Sequence, residues 1–289
     1  MKTEDLVVYK EMPVWHKDTI PAMFLEMHNT KEETYAGLKI LQGELKFTYL
    51  NESGDEVSSV DLKPNDKEYI ISPQQWHKVA PLTDDLEFQL KFLCRKQMYP
   101  AKKYNLSPAH SEVVKALEVV KPGKVLDLGC GGGRNSVYLA LNGFTIDAVD
   151  RNQESLEFLK RITKQENFPI TIKEYDINSA SINSNYDFIV STVVLMFCER
   201  QAIPQIIANM QEHTNPGGYN LIVAAMSTAD YPCSMPFPFT FSEGELKDYY
   251  QGWEFIEYNE NLGHLHKLDA QGNRIQLKFA TMLARKPQG

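Results

Sequence analysis

Residues 125–140 read VLDLGCGGGRNSVYLA. A run short and apolar enough to be a buried strand passes directly into glycines and then into residues at helical spacing. That geometry lets the backbone approach a ligand closely while the first N–H groups of the helix face it. A dinucleotide fingerprint G-x-G-x-x-G fails here in both frames: started at Gly129 it meets Arg134 where the third glycine belongs, and started at Gly131 it meets Ser136. The pattern that holds is D-x-G-x-G-x-G across Asp127, Gly129, Gly131 and Gly133.

Outward from the loop, short apolar strands alternate with helices. KVLDLG is followed by a helix through Asn135 to Leu141, FTIDAVD, a helix from Gln153 to Lys164, ITIKEYD, YDFIVST, a helix over Ile203 to His213, and YNLIVAAM. This alternation predicts a parallel sheet covered on both faces. Before it, Ser107 stands as an N-cap with Pro108 at the first helical position, and that helix runs until Pro122-Gly123. DYPCSMPFPFTFSEGEL interleaves prolines with aromatics and reads as an ordered loop over the carboxyl edge, with Ser242 and Glu245 forming a capping box for the next helix.

Up to about Arg95 the period is two. In LEFQLKF, Leu86, Phe88, Leu90 and Phe92 alternate with Glu87, Gln89 and Lys91. AMFLEM, GLKILQGELKFTYL, VSSVDL and KEYII follow the same logic, with turns at Asn51–Gly54 and Lys63–Asp66. We therefore expect two domains, an all-β barrel or sandwich over residues 1–98 and an α/β domain over 99–289.

Composition excludes several function classes. At 289 residues, 43% hydrophobic and 24% charged, the chain has ordinary globular usage. A net charge of −8 has the wrong sign for a protein that neutralises phosphates, so nucleic acid is not an expected partner. The longest apolar run, near Phe188–Cys198, is too short for a membrane span, and the acidic opening lacks a leader pattern. Four scattered cysteines without C-x-x-C are expected to be reduced, which fits a cytoplasmic location. Self-association as a homo-oligomer is left open.

The D-x-G-x-G-x-G loop resembles motif I of class I S-adenosylmethionine-dependent methyltransferases. The resemblance implies a seven-stranded Rossmann-like sheet with S-adenosylmethionine as cofactor. It places Asp127, Gly129, Gly131, Gly133, Arg134 and Asn135 at the methionine end. Asp150 and Arg151 close the second strand, 23 residues after Asp127, where a carboxylate accepts from ribose hydroxyls. Asp176 and Ile177 match the adenine-binding position, and Ser191 and Thr192 the fourth strand end. Asn215-Pro216-Gly217-Gly218 resembles the turn before the fifth strand, and Tyr104 and His110 precede the motif where a cover for the cofactor would lie.

Neither N-P-P-Y nor D-P-P-Y follows the fourth strand. STVVLMF, IPQIIANMQ, NPGGYNLIVAAMSTADYPC, FPFTFSEGELKDYY and GNRIQLKFATMLARK instead look like the tellurite-resistance TehB-like methyltransferases over residues 99–289. That likeness implies methylation of tellurite, and of related selenium oxyanions, to volatile products. A small oxyanion needs a local positive site in an acidic protein. The resemblance assigns it to His266, Lys267 and Arg274, with Lys267 standing where family members carry Arg. His266 would take or share the acid's proton while Lys267 and Arg274 neutralise charge; the alternative is that His264 and His266 are only polar faces of a strand. H-x-H lacks a third ligand, so no metal is expected. Cys233 could meet a thiophilic substrate or merely be packed. A thiol or hydroxyl acceptor, with tellurite as a side substrate, is the rival reading, and a cofactor-binding regulator without turnover is another.

The first hundred residues resemble cupin-like barrels through GLKILQGELKFTYL and ISPQQWHKVAP, with Gly43, Pro73 and His77 in place but the H-x-H pair missing. The implied role is sensing, docking or stabilisation, and His28 and His77 could share a site.

Overall fold

The computed structural model describes residues 5–269 and 271–288, with the side chains of His266 and Lys267 outside that description. The chain divides into two compact units between Pro108 and Ala109. Among the described residues no helix is long and apolar enough to cross a membrane.

Among its described residues the first unit is all-β apart from two short α-helices and two single 3-10 turns. Its elements are β1 (Leu6–His16), α1 (Ala22–Leu25), β2 (Tyr35–Gln42), β3 (Leu45–Leu50), β4 (Glu56–Leu62), β5 (Tyr69–Ile71), β6 (His77–Pro81), β7 (Glu87–Arg95) and α2 (Tyr99–Tyr104). One antiparallel sheet has the order β1-β7-β2-β5 and the other β4-β3-β6. Alternation in β7 sends Phe88 and Leu90 inward to meet Trp15, Leu38 and Phe47, while Gln89 and Lys91 stay partly exposed. AMFLEM is not a strand. Pro21 precedes a single helical turn in which the Phe24 N–H reaches the Pro21 carbonyl at 2.9 Å, because one turn is enough to bury Phe24 against Trp15.

The second unit contains α3 (Ser111–Ala116), β8 (Lys124–Leu128), α4 (Arg134–Leu141), β9 (Thr145–Asp150), α5 (Gln153–Glu166), β10 (Ile170–Glu174), β11 (Tyr186–Thr192), α6 (Ile203–Glu212), β12 (Thr214–Ala225), α7 (Glu245–Tyr249), β13 (Glu254–Leu268) and β14 (Arg274–Arg285). Its seven strands lie in the order β10-β9-β8-β11-β12-β14-β13. The sheet is mixed, not wholly parallel. β13 and β14 are joined by a tight turn in which the Asp269 N–H bonds the Asn273 carbonyl at 2.8 Å, and a connection that short permits only antiparallel pairing. β14 then pairs antiparallel with β12.

Three local expectations are corrected. α3 is capped by His110, not Ser107: its Nδ1 accepts the Glu112 N–H at 3.2 Å, and the helix ends at Ala116. α7 is preceded by Gly244 in the left-handed region rather than by Ser242, although Glu245 does reach back to the Ser242 N–H at 2.8 Å. The Asn215–Gly218 turn is an irregularity inside β12, between the pairs Tyr186↔Thr214 and Phe188↔Tyr219.

Strand order reverses beside β8, which has β9 on one side and β11 on the other. In an open α/β sheet the crevice for a ligand opens at the carboxyl ends of the strands flanking such a reversal. Those ends are the glycine loop after β8 and the segment Val193–Phe197 after β11.

Candidate active site

The glycine loop is held against β9. The N–H groups of Gly129 and Cys130 both bond the Val149 carbonyl, at 2.8 and 2.9 Å, and the Gly131 N–H bonds Asp150 Oδ2 at 2.8 Å. Gly129 has φ 80°, and a Cβ there would lie 2.5 Å from the Val194 side chain. Only glycine meets both demands. Gly131, also at positive φ, is different: an added Cβ would meet nothing within 4 Å, so the loop presents bare backbone to open space.

Asp127 stands one residue before the end of β8 and is almost fully buried. Ser136 Oγ donates to its Oδ2 at 2.6 Å, and burial pushes its pKa up to about 6 against the hydrogen bond and the nearby Arg134 charge. Asn135 is equally enclosed and ties three segments together, accepting the His110 N–H at 3.0 Å and donating to Thr192 Oγ1 at 3.0 Å. Ser191, next to Thr192, has a buried hydroxyl without a hydrogen-bond partner. Asp150 is half-buried, Arg151 exposed; Asp150 Oδ1 also accepts the Asn152 N–H at 2.8 Å. Asp176 is exposed and caps the turn Ile177–Ser179 through the Asn178 N–H at 3.0 Å, with Ile177 buried beneath.

A cavity of about 870 Å³ opens beside these groups. His110 and Arg134 line it, with Val193, Met196 and Phe197 from beyond β11 and Met235 and Phe237 from the proline-rich loop. Phe197 and Phe237 meet edge to face at 5.3 Å. His264, Glu257 and Asn259 contribute from β13, and Glu112 from α3. Burial lowers the Arg134 pKa, and burial with the neighbouring Glu257 raises that of Glu112.

Not every expected residue meets there. Arg274 begins β14 opposite Leu268, is exposed, and does not line the cavity. His266 and Lys267 lie on β13 but their side chains are outside the described residues. Cys233 is half-buried, packed with Met196 and Phe279 behind the wall. Tyr104 ends α2 in the first unit, its ring against Tyr99 at 6.0 Å.

Sequence reading missed Ser136, Glu112, Glu257 and Val193. Ser136 was legible in principle, as a small hydroxyl in the first turn of the helix that the loop opens. Val193 was not: it sits at φ 60°, a conformation that β-branched residues avoid, and nothing in STVVLMF announces it.

The family model for the tellurite resistance protein TehB matches residues 92–283, and the model for the TehB-like domain matches residues 10–90. A probable S-adenosyl-L-methionine-dependent methyltransferase TehB of Haemophilus influenzae (strain 10810) is 56% identical over 286 residues, 99% of this chain and 100% of that protein. Hemagglutinin 1 of Eikenella corrodens is 48% identical over 238 residues, 82% of this chain and 79% of that one. The crystal structure of TehB from Haemophilus influenzae superposes with a TM-score of 0.93 at 56% identity, over 98% of this chain and 99% of that chain.

Proposed function

The chain belongs to the TehB family and is an S-adenosylmethionine-dependent methyltransferase of class I fold behind an all-β domain; from that premise we propose that its acceptor is tellurite, with selenium oxyanions as related substrates. The observation that carries this reading is identity of 56% to a TehB protein along essentially the whole of both chains. Methyl transfer alone would give a methylated oxyanion, which thiol reductants would then convert to a volatile product, and the outcome would be tellurite resistance in the cytoplasm. Chemistry is assigned to residues 99–289 and an accessory role to 1–98.

The residues around the glycine loop suit the cofactor. Bare backbone at Gly131, the unpartnered Ser191 hydroxyl and two strand-end carboxylates offer the mixture of close approach and polar acceptors that a nucleoside with an amino acid tail needs. When bound, S-adenosylmethionine supplies a methyl group on a positively charged sulfur. Gly129, Gly131 and Gly133 shape the cradle, Asp127 faces the methionine ammonium, and Asp150 accepts from ribose hydroxyls, with Arg151 beside it. Asp176 and Ile177 border the adenine, Ser191 and Thr192 the amino acid tail. Arg134, Asn135 and His110 complete the cofactor side.

Methyl transfer from a sulfonium is an in-line displacement, so the protein's task is alignment and exclusion of water. Met196, Phe197, Met235 and Phe237 provide the dry wall. His266 holds or takes the acid's proton and Lys267 balances the oxyanion's charge, while Arg274, outside the cavity lining at the exposed start of β14, draws the oxyanion towards them.

One observation favours a second reading, in which an organic thiol or hydroxyl is the acceptor. The cavity is large, largely apolar, and carries Glu112 together with Glu257, the latter ion-paired with Lys115, so its lining offers an oxyanion little net positive charge. Rates of S-adenosylhomocysteine release with tellurite, selenite and small thiols, measured side by side on wild type and Arg274→Ala, separate the two. Release with tellurite that falls at least tenfold in the variant, with cofactor affinity unchanged, supports the oxyanion reading. Turnover confined to thiols and indifferent to Arg274 overturns it.

A further inference from the structure

The first unit holds a cavity of about 360 Å³ walled by both of its sheets. Its lining is mostly apolar, with Trp15, Phe24, Leu38, Ile71 and Phe88 among the residues that form it. That volume is in the range of small-molecule sites, and its lining includes three polar side chains: Thr30, whose buried hydroxyl has no partner, and two histidines hydrogen-bonded through Nδ1.

Two of these are histidines brought together by strand pairing. The N–H of each of His28 and His77 bonds the other's carbonyl, at 3.0 and 2.9 Å, and the ring centres lie 4.2 Å apart. His28 Nδ1 is 2.9 Å from the Glu26 carbonyl, and His77 Nδ1 is 2.7 Å from the Gln75 carbonyl. A carbonyl only accepts, so each Nδ1 carries the proton and each Nε2 keeps a lone pair. Burial lowers the pKa of both rings, that of His77 to about 4, so both are neutral at pH 7. The third group is Thr30, 9% exposed, whose Oγ1 is buried without a partner.

The mouth has a charge of its own. The exposed side chains of Lys10 and Lys31 line the cavity, and among the described residues no carboxylate does.

We propose that this cavity binds an amphipathic organic acid: an apolar ring system against Trp15 and Phe88, a hydroxyl or N–H donor given to the Nε2 atoms of His28 and His77, and a carboxylate at the mouth near Lys10 and Lys31. Thr30 Oγ1 adds a hydrogen bond to the polar end inside. The first domain is then a ligand-binding module with a preference that the methyltransferase site does not share.

The test is a calorimetric titration of the full-length protein with 6-hydroxy-2-naphthoic acid, with S-adenosylhomocysteine present throughout. Saturable one-to-one binding is expected. Capping the donor, in 6-methoxy-2-naphthoic acid, or removing the acid, in 2-naphthol, should each weaken binding by about tenfold or more, because a buried acceptor or the cationic mouth loses its partner. His77→Phe should weaken the hydroxy acid to the level of the methoxy acid. Lys10→Glu with Lys31→Glu, both on the surface and harmless to the core, should bring it to the level of 2-naphthol. No binding to folded wild type, equal affinity for all three compounds, or indifference to the lysine reversals would each overturn the proposal.

Discussion

The Ser136 hydroxyl donates to the Asp127 carboxylate at 2.6 Å inside a site that otherwise penalises that charge. The two residues are nine positions apart, one at the end of the strand and the other in the first turn of the helix, so the glycine loop between them is clamped at both ends. One hydrogen bond does not offset the loss of water around a buried carboxylate.

Asp127→Asn should therefore stabilise the protein without cofactor while weakening the cofactor. With the folded pKa raised to about 6, the contribution of Asp127 is fully present below its unfolded pKa, near 3.8, and is lost as pH rises from there to about 6. At pH 7 the ionised carboxylate costs on the order of 1–3 kcal/mol, which an amide able to accept from Ser136 avoids. Denaturant unfolding at pH 7 should show the gain, and titration with S-adenosylmethionine an affinity loss of about tenfold or more. A variant both less stable and equally tight would contradict this.

Asn135→Leu removes an amide that serves His110 and Thr192 at once. A buried N–H left without its acceptor costs about 1–3 kcal/mol. The loss should appear in urea denaturation, accompanied by faster amide exchange at His110.

Val193 pays a backbone cost where β11 enters the cavity. Left-handed conformation costs an L-residue roughly 1–2 kcal/mol, which glycine escapes. Val193→Gly should leave the unfolding free energy within about 1 kcal/mol of wild type, while Val190→Gly, three residues earlier in the buried strand, should lower it by about 3 kcal/mol or more. Similar losses at both positions would show that the strain carries no weight.

The glycine loop was legible because backbone demands are written locally: D-x-G-x-G-x-G needs no partner to be read, and the strands and helices from Val125 to Glu212 lie where periodicity puts them. The last two strands, β14 and the edge strand β13, were harder, since antiparallel closure depends on the turn at Asp269–Asn273 rather than on period. AMFLEM alternates weakly and was resolved by the burial of Phe24, a tertiary effect. That His28 and His77 could share a site came from the resemblance to cupin-like barrels rather than from spacing, and the link between Asn135 and His110 depends on chain segments meeting in space, which spacing does not encode.

Stability of the first unit should fall on acidification. The folded pKa of His77 is lowered to about 4, chiefly by burial. Its contribution is thus present above the unfolded value of 6.5 and lost as pH falls towards 4, by up to about 3 kcal/mol. Amide exchange in β3 and β6 followed from pH 7 to 4.5 should report this after correction for intrinsic rates, and His77→Gln should flatten the dependence.

The central claim is tested most directly by headspace mass spectrometry of the purified protein with tellurite, a dithiol reductant and S-adenosylmethionine carrying a ¹³C-methyl group. The account predicts a volatile species with the tellurium isotope pattern and the labelled methyl, abolished by Asp127→Ala. Tight cofactor binding with no labelled tellurium product would contradict it.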